Sequence, residues 1–576
     1  MATVSQTPRE SQSPYRTHTV FNQAAPLTDL DVFASNLPLV EATEREGAGW
    51  VRERASALGR LVGGEPQQQW GRLANENEPV LRTFDRYGNR IDEVEFHPAW
   101  HQLMAMGVEH ELHSLPWTSD EPFAHTARAA LYMTAMQAEA GFCCPITMTF
   151  AAIPALRAQP ELAAEWEPLL TATTYDPRLI QVEQKGSAIC GMAMTEKQGG
   201  SDVRANTTVA RATNRFSIGA DGGGAGAEYE ITGHKWFCSA PMSDVFLVLA
   251  QTDEGLSCFL LPRILPDGER NQFHIQRLKD KLGNRSNASS EIELHGAWAR
   301  MVGEPGRGVP TIIEMVGHTR LDCVIGAAAG MRTGVVNATH HAAHRAAFGK
   351  TLIDQPLMRN VLADLCLESE ATTALAMRLA RAYDEAHADA DNGDDDTDAQ
   401  LFKRLATAVG KYWTCKRAPN HAFESLECLG GNGYVEESGM PRLYREAPLA
   451  SIWEGSGNVM SLDVLRALTR SPRALEVFFD EVRQAQGADK RLDARTQELQ
   501  AQFADPATLE TRARRVVESM ALCLQGSLLV RNAPAAVADA FCASRLGGDG
   551  GLEYGTLPAG SDFEQIIARS LPHAHV

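Results

Sequence analysis

Residues 194–203 read MTEKQGGSDV and stand where the pattern of the chain changes from helical to β-rich. Before this stretch, segments such as TARAALYMTAMQAEAG (126–141) repeat apolar residues at the three- and four-residue spacing of amphipathic helices. After it, short runs rich in β-branched and alternating apolar residues are separated by turn residues, which predicts strands. The stretch itself combines hydroxyl side chains with two adjacent glycines, whose backbone N–H groups can hold a polar ligand.

The order helices, strands, helices predicts an α+β architecture with segregated parts. Two loops are also predicted. GADGGGAGAE (219–228) lies between two strands, and the acidic ADADNGDDDTDA (388–399) interrupts the helices without the spacing of a calcium-binding loop. We expect an irregular arm over 1–27, a helical domain over 28–186, a β domain over 187–298, a helical bundle over 299–470 and a further helical domain over 471–576.

Composition narrows the class of protein. The 576 residues carry a net charge of −19, from 54 basic and 73 acidic side chains, which opposes non-specific attraction to nucleic acid or anionic membranes. No apolar run has the length of a membrane helix, and the first residues have no apolar core of a secretion signal. The 11 scattered cysteines predict reduced thiols and no metal site. We expect a cytoplasmic protein that contacts no membrane.

Further segments along the chain combine glycine, aromatic and charged residues. Each one alone is a weak signal. The order TEKQGGSD, KWFCS, KLGNR, RAAFGK, LGGNGY and WEGSG resembles the signatures of the acyl-CoA dehydrogenase family, over about 187–470. THTVFNQ, EGAGW, CPITMTFAA, PRLYRE and SIWEGSGN are similar to the AidB branch of that family, flavoproteins associated with the bacterial response to DNA alkylation.

The resemblance implies a fold and a cofactor. The fold would consist of an N-terminal helical domain, a central antiparallel β-barrel, a C-terminal four-helix bundle and an extra C-terminal helical domain. FAD would lie between the β domain and the bundle. Its expected contacts are Met194, Thr195, Gly199, Gly200, Ser201, Phe237, Ser239, Gly430, Gly431, Ile452, Trp453, Gly455, Ser456 and Asn458. Arg345, Phe348 and Gln355 would reach the flavin of a neighbouring subunit, which implies at least a dimer. The family is commonly tetrameric, so the resemblance implies a homotetramer.

The resemblance also implies a catalytic base. A proton α to a thioester can be removed when a positioned carboxylate takes it and the thioester oxygen receives hydrogen bonds. Most family members place this carboxylate where Glu454 stands, and a minority place it before an Arg-Leu pair, here Thr319 before Arg320. Glu454 therefore has no visible competitor, and Arg320 is expected beside the substrate. The alternative reading of Glu454 is a simple helix-start residue.

Two functions of different class remain open. The first is dehydrogenation of an acyl-CoA or related thioester, with weak activity and an electron-transfer flavoprotein as electron acceptor. The second is protection of double-stranded DNA by a flavoprotein that does not turn over acyl-CoA. DNA phosphates require basic side chains, yet acidic residues outnumber basic ones over 474–576. Arg512 and Arg515 share a helix face and are the candidate phosphate contacts, unless they form only a solvated surface.

Overall fold

The computed structural model of the chain describes residues 17–216, 223–391 and 397–572. Parts of four predicted segments lie outside these residues: the beginning of the arm, the first residues of the 219–228 loop, the middle of the acidic loop and the last four residues of the 471–576 domain. The predicted order of helices, β-barrel and helices is confirmed, and so are the additional helices at the C-terminal end.

The N-terminal region is helical but also contains a β-hairpin, which the helical prediction for 28–186 missed. Asp85 makes its turn, because the carboxylate accepts hydrogen bonds from the backbone N–H groups of Tyr87 and Asn89. Local turn chemistry therefore interrupts the helical pattern. The helices are α1 Leu37–Arg45, α2 Arg52–Gly63, α3 Glu65–Glu76, α4 Pro98–Glu109, α5 Leu115–Thr118, α6 Ala124–Ala135, α7 Cys143–Leu156 and α8 Pro160–Leu170, and the hairpin strands are β1 Val80–Phe84 and β2 Arg90–Glu95.

The β domain is a closed barrel. Its strands are β3 Cys190–Ala193, β4 Val209–Ala212, β5 Glu228–Ser239, β6 Val245–Thr252, β7 Gly255–Pro262, β8 Phe273–Leu278 and β9 Ser289–Val302, one for each predicted strand. Among the described residues, pairing runs from β6 through β7, β9, β5 and β4 back to β6. The pairs of β6 with β3 and β4 are parallel rather than antiparallel. Long connections, not hairpins, join these strands, and only hairpins impose antiparallel pairing.

Long helices form the C-terminal half. They are α9 Gly308–His344, α10 Pro356–Asp391, α11 Asp398–Glu427, α12 Met440–Glu446 and α13 Gly457–Arg470, followed by α14 Arg473–Arg483, α15 Lys490–Gln502, α16 Ala513–Asn532, α17 Ala535–Phe541 and α18 Phe563–Ala568. Helices α9, α10 and α11 pack against one another, and α13 packs on α11. The two-residue strands β10 Ala346–Ala347 and β11 Lys350–Thr351 form a small hairpin after α9. Helix α16 contacts both α11 and α13, which joins the extra helices to the bundle.

All 11 cysteines are buried and none is paired with another, and their reduced state stays a prediction. Their burial makes them ordinary core residues. Among the helices of the described residues, none combines the length and the apolar content that a membrane crossing requires.

A buried ion pair joins the N-terminal helices to the bundle. Arg128 of α6 donates two hydrogen bonds of 2.7 Å to the carboxylate of Asp322 on α9, and both residues are less than 5% exposed. The Thr147 hydroxyl also donates to Asp322, and Arg128 Nε donates to the carbonyl of Leu112 over 2.6 Å. Every member of this network is paired, which offsets the cost of removing the charges from water.

Replacing Arg128 by Met should strand the Asp322 carboxylate in the core. We expect the free energy of unfolding to fall by about 3–5 kcal/mol, since one partner of a buried pair is lost. The urea midpoint of intrinsic fluorescence measures this change. Arg72→Met is the control: it breaks an exposed pair with Glu76 on α3, and it should cost about 0.5 kcal/mol or less. Equal midpoints for the two variants would contradict the stabilising role of the buried pair.

Candidate active site

Residues 452–456 form a tight loop between the 3₁₀ turn Leu449–Ser451 and helix α13. Glu454 lies in the left-handed region of the backbone map, at φ +57°, which few residues other than glycine adopt. Gly455 follows at φ +117°, and a Cβ at this position would approach Met460 Cε to 2.5 Å. This conformation requires support from the surrounding helices, because it is unfavourable by itself.

Two cations hold the backbone of this loop. Lys411 on α11 is almost fully buried, and its ammonium donates to the carbonyls of Trp453, over 2.7 Å, and of Gly455. Arg320 on α9 donates from Nε to the carbonyl of Glu454, over 3.0 Å. Arg320 is itself fixed by Asp463 of α13, over 2.8 Å. Three consecutive carbonyl groups are therefore turned toward two positive charges.

The Glu454 side chain occupies a half-buried position. One carboxylate oxygen, Oε2, and the neighbouring Trp453 indole nitrogen are buried without a hydrogen-bond partner among the described residues. Burial raises the pKa of Glu454 above its ordinary value, while the Thr319 hydroxyl and the cations of Arg320 and Lys411 oppose this rise. The Glu454 carboxylate thus has the increased proton affinity that a general base needs.

A β-bulge lies near the C-terminal end of β5. Lys235 pairs with Ile292 and Cys238 with Ser290, so β5 contains one more residue than β9 over this stretch. The bulge re-aims the intervening side chains. Phe237 is consequently 51% exposed although it lies in a strand of the barrel. This exposure suits a side chain that covers a planar ligand.

The TEKQGGSD loop follows β3 and is fixed by the buried ion pair of Glu196 with Lys235, 2.9 Å apart. Gly200 permits a close approach, because a Cβ there would lie 2.3 Å from the Thr195 hydroxyl. Gly199 has φ +122° and no atom within 4 Å of the place a Cβ would take, so its backbone is open. Ser201 is exposed in the same turn.

The structure brings several predicted residues together. Met194 and Trp453 pack against the same apolar cluster between α7 and the barrel. Cys144 of α7 lies near both the Ser239 end of β5 and Glu454. Its thiol pKa is raised to about 12 by burial; the Glu454 charge also raises it, while Lys281, Asn287 and Ser239 lower it. Glu454, Met194, Trp453 and Ser239 therefore surround one region at the junction of barrel and bundle.

Other predicted residues lie apart from this region. Arg345 donates to the carbonyl of Asn22 over 2.7 Å, and Gln355 donates to the carbonyl of Ala347 over 3.0 Å. Phe348, at the tip of the β10–β11 hairpin, is fully exposed. Gly430 and Gly431 have no atom within 4 Å of their Cβ positions, so their backbone is also open. No described hydrogen bond connects these residues to Glu454 or Ser239.

The remaining residues differ in part from expectation. Arg320 was expected beside the substrate, but its guanidinium is engaged by Glu454 and Asp463. Asn458 was expected at the flavin, but its side-chain oxygen accepts a hydrogen bond from Arg514 over 2.8 Å. Ile452 and Ser456 are exposed.

The two candidate DNA contacts are not equivalent. Arg512 donates to the carbonyls of Gln502, over 3.1 Å, and Asp505, over 3.0 Å, so its guanidinium closes the turn before α16. Arg515 is exposed one turn further along. Arg515 is therefore available to an external ligand, whereas the guanidinium of Arg512 is engaged by carbonyls of its own domain.

The sequence analysis missed Lys411, which holds the backbone of the Glu454 loop, and Asp463, which fixes Arg320. A signal was present in the run LATAVGKYW (405–413), where a single lysine interrupts apolar residues of a helix. A charged residue in such a position is rarely buried unless it has a defined partner. The identity of its partners could not be read from the pattern.

Comparison with known proteins agrees with this geometry. Residues 22–177 match the adaptive response protein AidB N-terminal domain, 191–297 the acyl-CoA dehydrogenase middle domain and 306–469 the acyl-CoA dehydrogenase C-terminal domain. AidB of Escherichia coli (strain K12) is 44% identical over 93% of this chain and 96% of its own. Acyl-CoA dehydrogenase family member 11 of Caenorhabditis elegans is 31% identical over 80% of this chain and 77% of its own.

Solved structures give the same assignment. ACDH-11 of Caenorhabditis elegans in complex with C11-CoA superposes with a TM-score of 0.82, at 27% identity, over 93% of this chain and 94% of that one. The apo-form of Bd2924 has a TM-score of 0.78 at 28% identity, over 91% of this chain and all of that one. The chain belongs to the acyl-CoA dehydrogenase family and carries the N-terminal domain that defines the AidB proteins.

Lys411→Met should disturb the base through its backbone. Loss of the two carbonyl contacts should misplace Glu454 and slow acyl-CoA turnover by on the order of 10²-fold. Loss of a cation that lowers the pKa of Glu454 should also move the acidic limb of the pH–rate profile to higher pH. Lys490→Met, on the exposed surface of α15, serves as the control. An unchanged acidic limb in the Lys411 variant would contradict this role.

Proposed function

We propose that the protein is an FAD-dependent dehydrogenase of acyl-CoA thioesters in which Glu454 removes the α proton. The observation that carries the proposal is the clamped loop. It presents a carboxylate with raised proton affinity, and two helices hold its backbone rigidly. The complex of the Caenorhabditis elegans relative with C11-CoA supports an acyl-CoA as the substrate class.

Residues near Glu454, together with glycines that lie apart from it, fit a flavin. The half-exposed Phe237 offers an aromatic face, and the open backbones of Gly199, Gly430 and Gly431 offer close approach without a side chain. The Trp453 indole N–H is a buried donor without a described acceptor. Buried polar groups normally have a partner, so this donor suits a polar ligand. Structures of other acyl-CoA dehydrogenases include one complexed with FAD, from Bacillus anthracis.

The backbone of Glu454, and not only its side chain, can interact with the thioester. Its carbonyl is occupied by Arg320, whereas its amide N–H has no hydrogen-bond acceptor among the described residues. We propose that this N–H donates to the thioester oxygen, where negative charge develops as the α proton leaves. The same residue would then supply the base and one electrostatic stabiliser.

The chemistry is a removal of two hydrogens from Cα–Cβ. Glu454 takes the α hydrogen as a proton, and the β hydrogen leaves as a hydride with both bonding electrons, so a carbon–carbon double bond forms. Bound FAD would supply the acceptor for that hydride, since no side chain can act as the electron sink. Trp453 and the apolar cluster with Met194 exclude water from the proton transfer.

Glu454→Gln should retain FAD and lose dehydrogenation. The amide is nearly isosteric with the carboxylate but cannot accept the α proton. Anaerobic titration with acyl-CoAs of different chain length and branching, followed by the absorbance of oxidised flavin, measures both properties. Glu437→Gln, which alters an exposed carboxylate, is the matched control. Bleaching of the flavin in the Glu454 variant at the wild-type rate would disprove the assignment of the base.

A neighbouring subunit is expected to complete the site. Phe348 and Leu357 are almost fully exposed, and both lie in the segment that resembles the family's contact with a partner's flavin. Exposed apolar residues grouped in this manner are typical of protein interfaces. We therefore propose a homotetramer in the cytoplasm, with an electron-transfer flavoprotein as the acceptor of the electrons.

The alternative function is protection of duplex DNA by the C-terminal domain. The exposed Arg515 supports it, whereas the internal contacts of Arg512 and the acidic balance of the domain oppose it. If phosphate contacts matter, affinity should fall steeply with salt, and Arg515→Ala should weaken binding. Gel-shift titrations at two salt concentrations measure this. DNA binding that does not change with salt or with Arg515→Ala would exclude Arg515 as a phosphate contact.

A further inference from the structure

Three side chains behind the end of β5 form a continuous hydrogen-bonded chain. The hydroxyl oxygens of Ser239 and Ser289 are 3.0 Å apart, and the Lys281 ammonium donates to the Ser289 hydroxyl over 3.1 Å. Ser239 ends β5 and Ser289 begins β9, and the two residues are direct partners in the strand register. The barrel therefore fixes the distance between the two serines.

The charge of Lys281 has no direct counter-charge. Its other described hydrogen bond goes to the carbonyl of Asn287, and no Asp or Glu forms an ion pair with it in the described part of the chain. Burial lowers the pKa of Lys281 to about 8. The charges of Cys144 and of the more distant carboxyls of Glu446 and Glu139 act in the opposite direction and raise this pKa. An ammonium in this position is costly unless a negative group approaches it.

Near Lys281 lie further buried polar atoms that have no described hydrogen-bond partner. Both amide atoms of Asn287 and the hydroxyl of Ser286 are buried without a hydrogen bond among the described residues. The charges of both Lys281 and Glu454 affect the pKa of the Cys144 thiol. Lys281, at one end of the hydrogen-bonded chain, therefore lies on the same side of the barrel as Glu454. The Lys281 ammonium therefore lies among buried polar atoms that have no described hydrogen-bond partner.

We propose that Lys281, acting through Ser289 and Ser239, stabilises the negative charge that a bound flavin gains when it accepts two electrons. The proposal rests on the proposed function and on the expectation, from the family resemblance, that Ser239 contacts the flavin. A positive charge in a region of low dielectric lowers the free energy of the electron-rich reduced ring more than that of the oxidised ring. Lys281 is therefore a positioning residue that tunes the reduction potential without touching the substrate.

The test is the midpoint potential of the FAD-loaded full-length protein, measured anaerobically against a reference dye. Lys281→Met should lower the preference for reduced over oxidised flavin about tenfold, which is about 30 mV for a two-electron couple. Lys281→Arg should retain most of the wild-type potential. Ser289→Ala should reproduce part of the loss. Ser290→Ala, whose hydroxyl donates to the carbonyl of Cys238 instead, should leave the potential unchanged.

An unchanged potential in FAD-loaded Lys281→Met would overturn the proposal. If that variant fails to bind FAD, Ser289→Ala decides, because it retains the cation and interrupts the hydrogen-bonded chain; an unchanged potential there overturns the route. The measurement uses no acyl-CoA. A wild-type flavin that no acyl-CoA bleaches would therefore contradict the proposed function, yet leave the effect of Lys281 on the potential measurable.

Discussion

Two buried cations hold the loop that carries Glu454, and the remainder of the site is arranged around it. A residue other than glycine at φ +57° costs about 1–3 kcal/mol. The charge-assisted hydrogen bonds from Lys411 and Arg320 to three consecutive carbonyls offset that cost. Since the donors lie on the long helices α9 and α11, the loop that carries Glu454 is fixed directly to the bundle. Asp463 on α13 extends this rigidity to the helix that follows the loop.

The extra C-terminal helices act on the same elements. Helix α16 packs on α11 and α13, and two side-chain contacts reinforce this packing. Arg514 bonds Asn458 in the first turn of α13, and the Trp413 indole donates to Gln525 over 3.1 Å. The domain thus braces the helices that position the base, whatever its outer surface binds. Its acidic balance is no obstacle to this bracing role, which depends on packing and on few hydrogen bonds.

The sequence was sufficient for the elements whose pattern is local. The strands of the barrel are short alternating or continuous apolar runs that end at turn residues, and these runs predicted strands, whereas the β1–β2 hairpin was missed inside a helical region. Motif resemblance located Glu454, but the roles of Lys411 and Arg320 depend on which way backbone carbonyls face, which no pattern reveals. The exposure of Phe237 likewise depends on a bulge of one residue in strand register. What covers the exposed Phe348 is also not readable from the sequence of one chain.

Charge is distributed unevenly between the site and the rest of the protein. The chain has a net charge of −19, yet Lys411 and Lys281 stand beside the site without an ion pair in the described residues. A desolvated cation without a partner destabilises the unliganded protein. In the proposed dehydrogenation, negative charge develops on the flavin, so Lys281 would be best compensated as the reaction proceeds, whereas Lys411 faces the carboxylate of Glu454 from the start. Interactions that are stronger in the transition state than in the ground state are the ones that accelerate a reaction. Under the proposed function, the site thus places the charge of Lys281 where the chemistry would create a counter-charge.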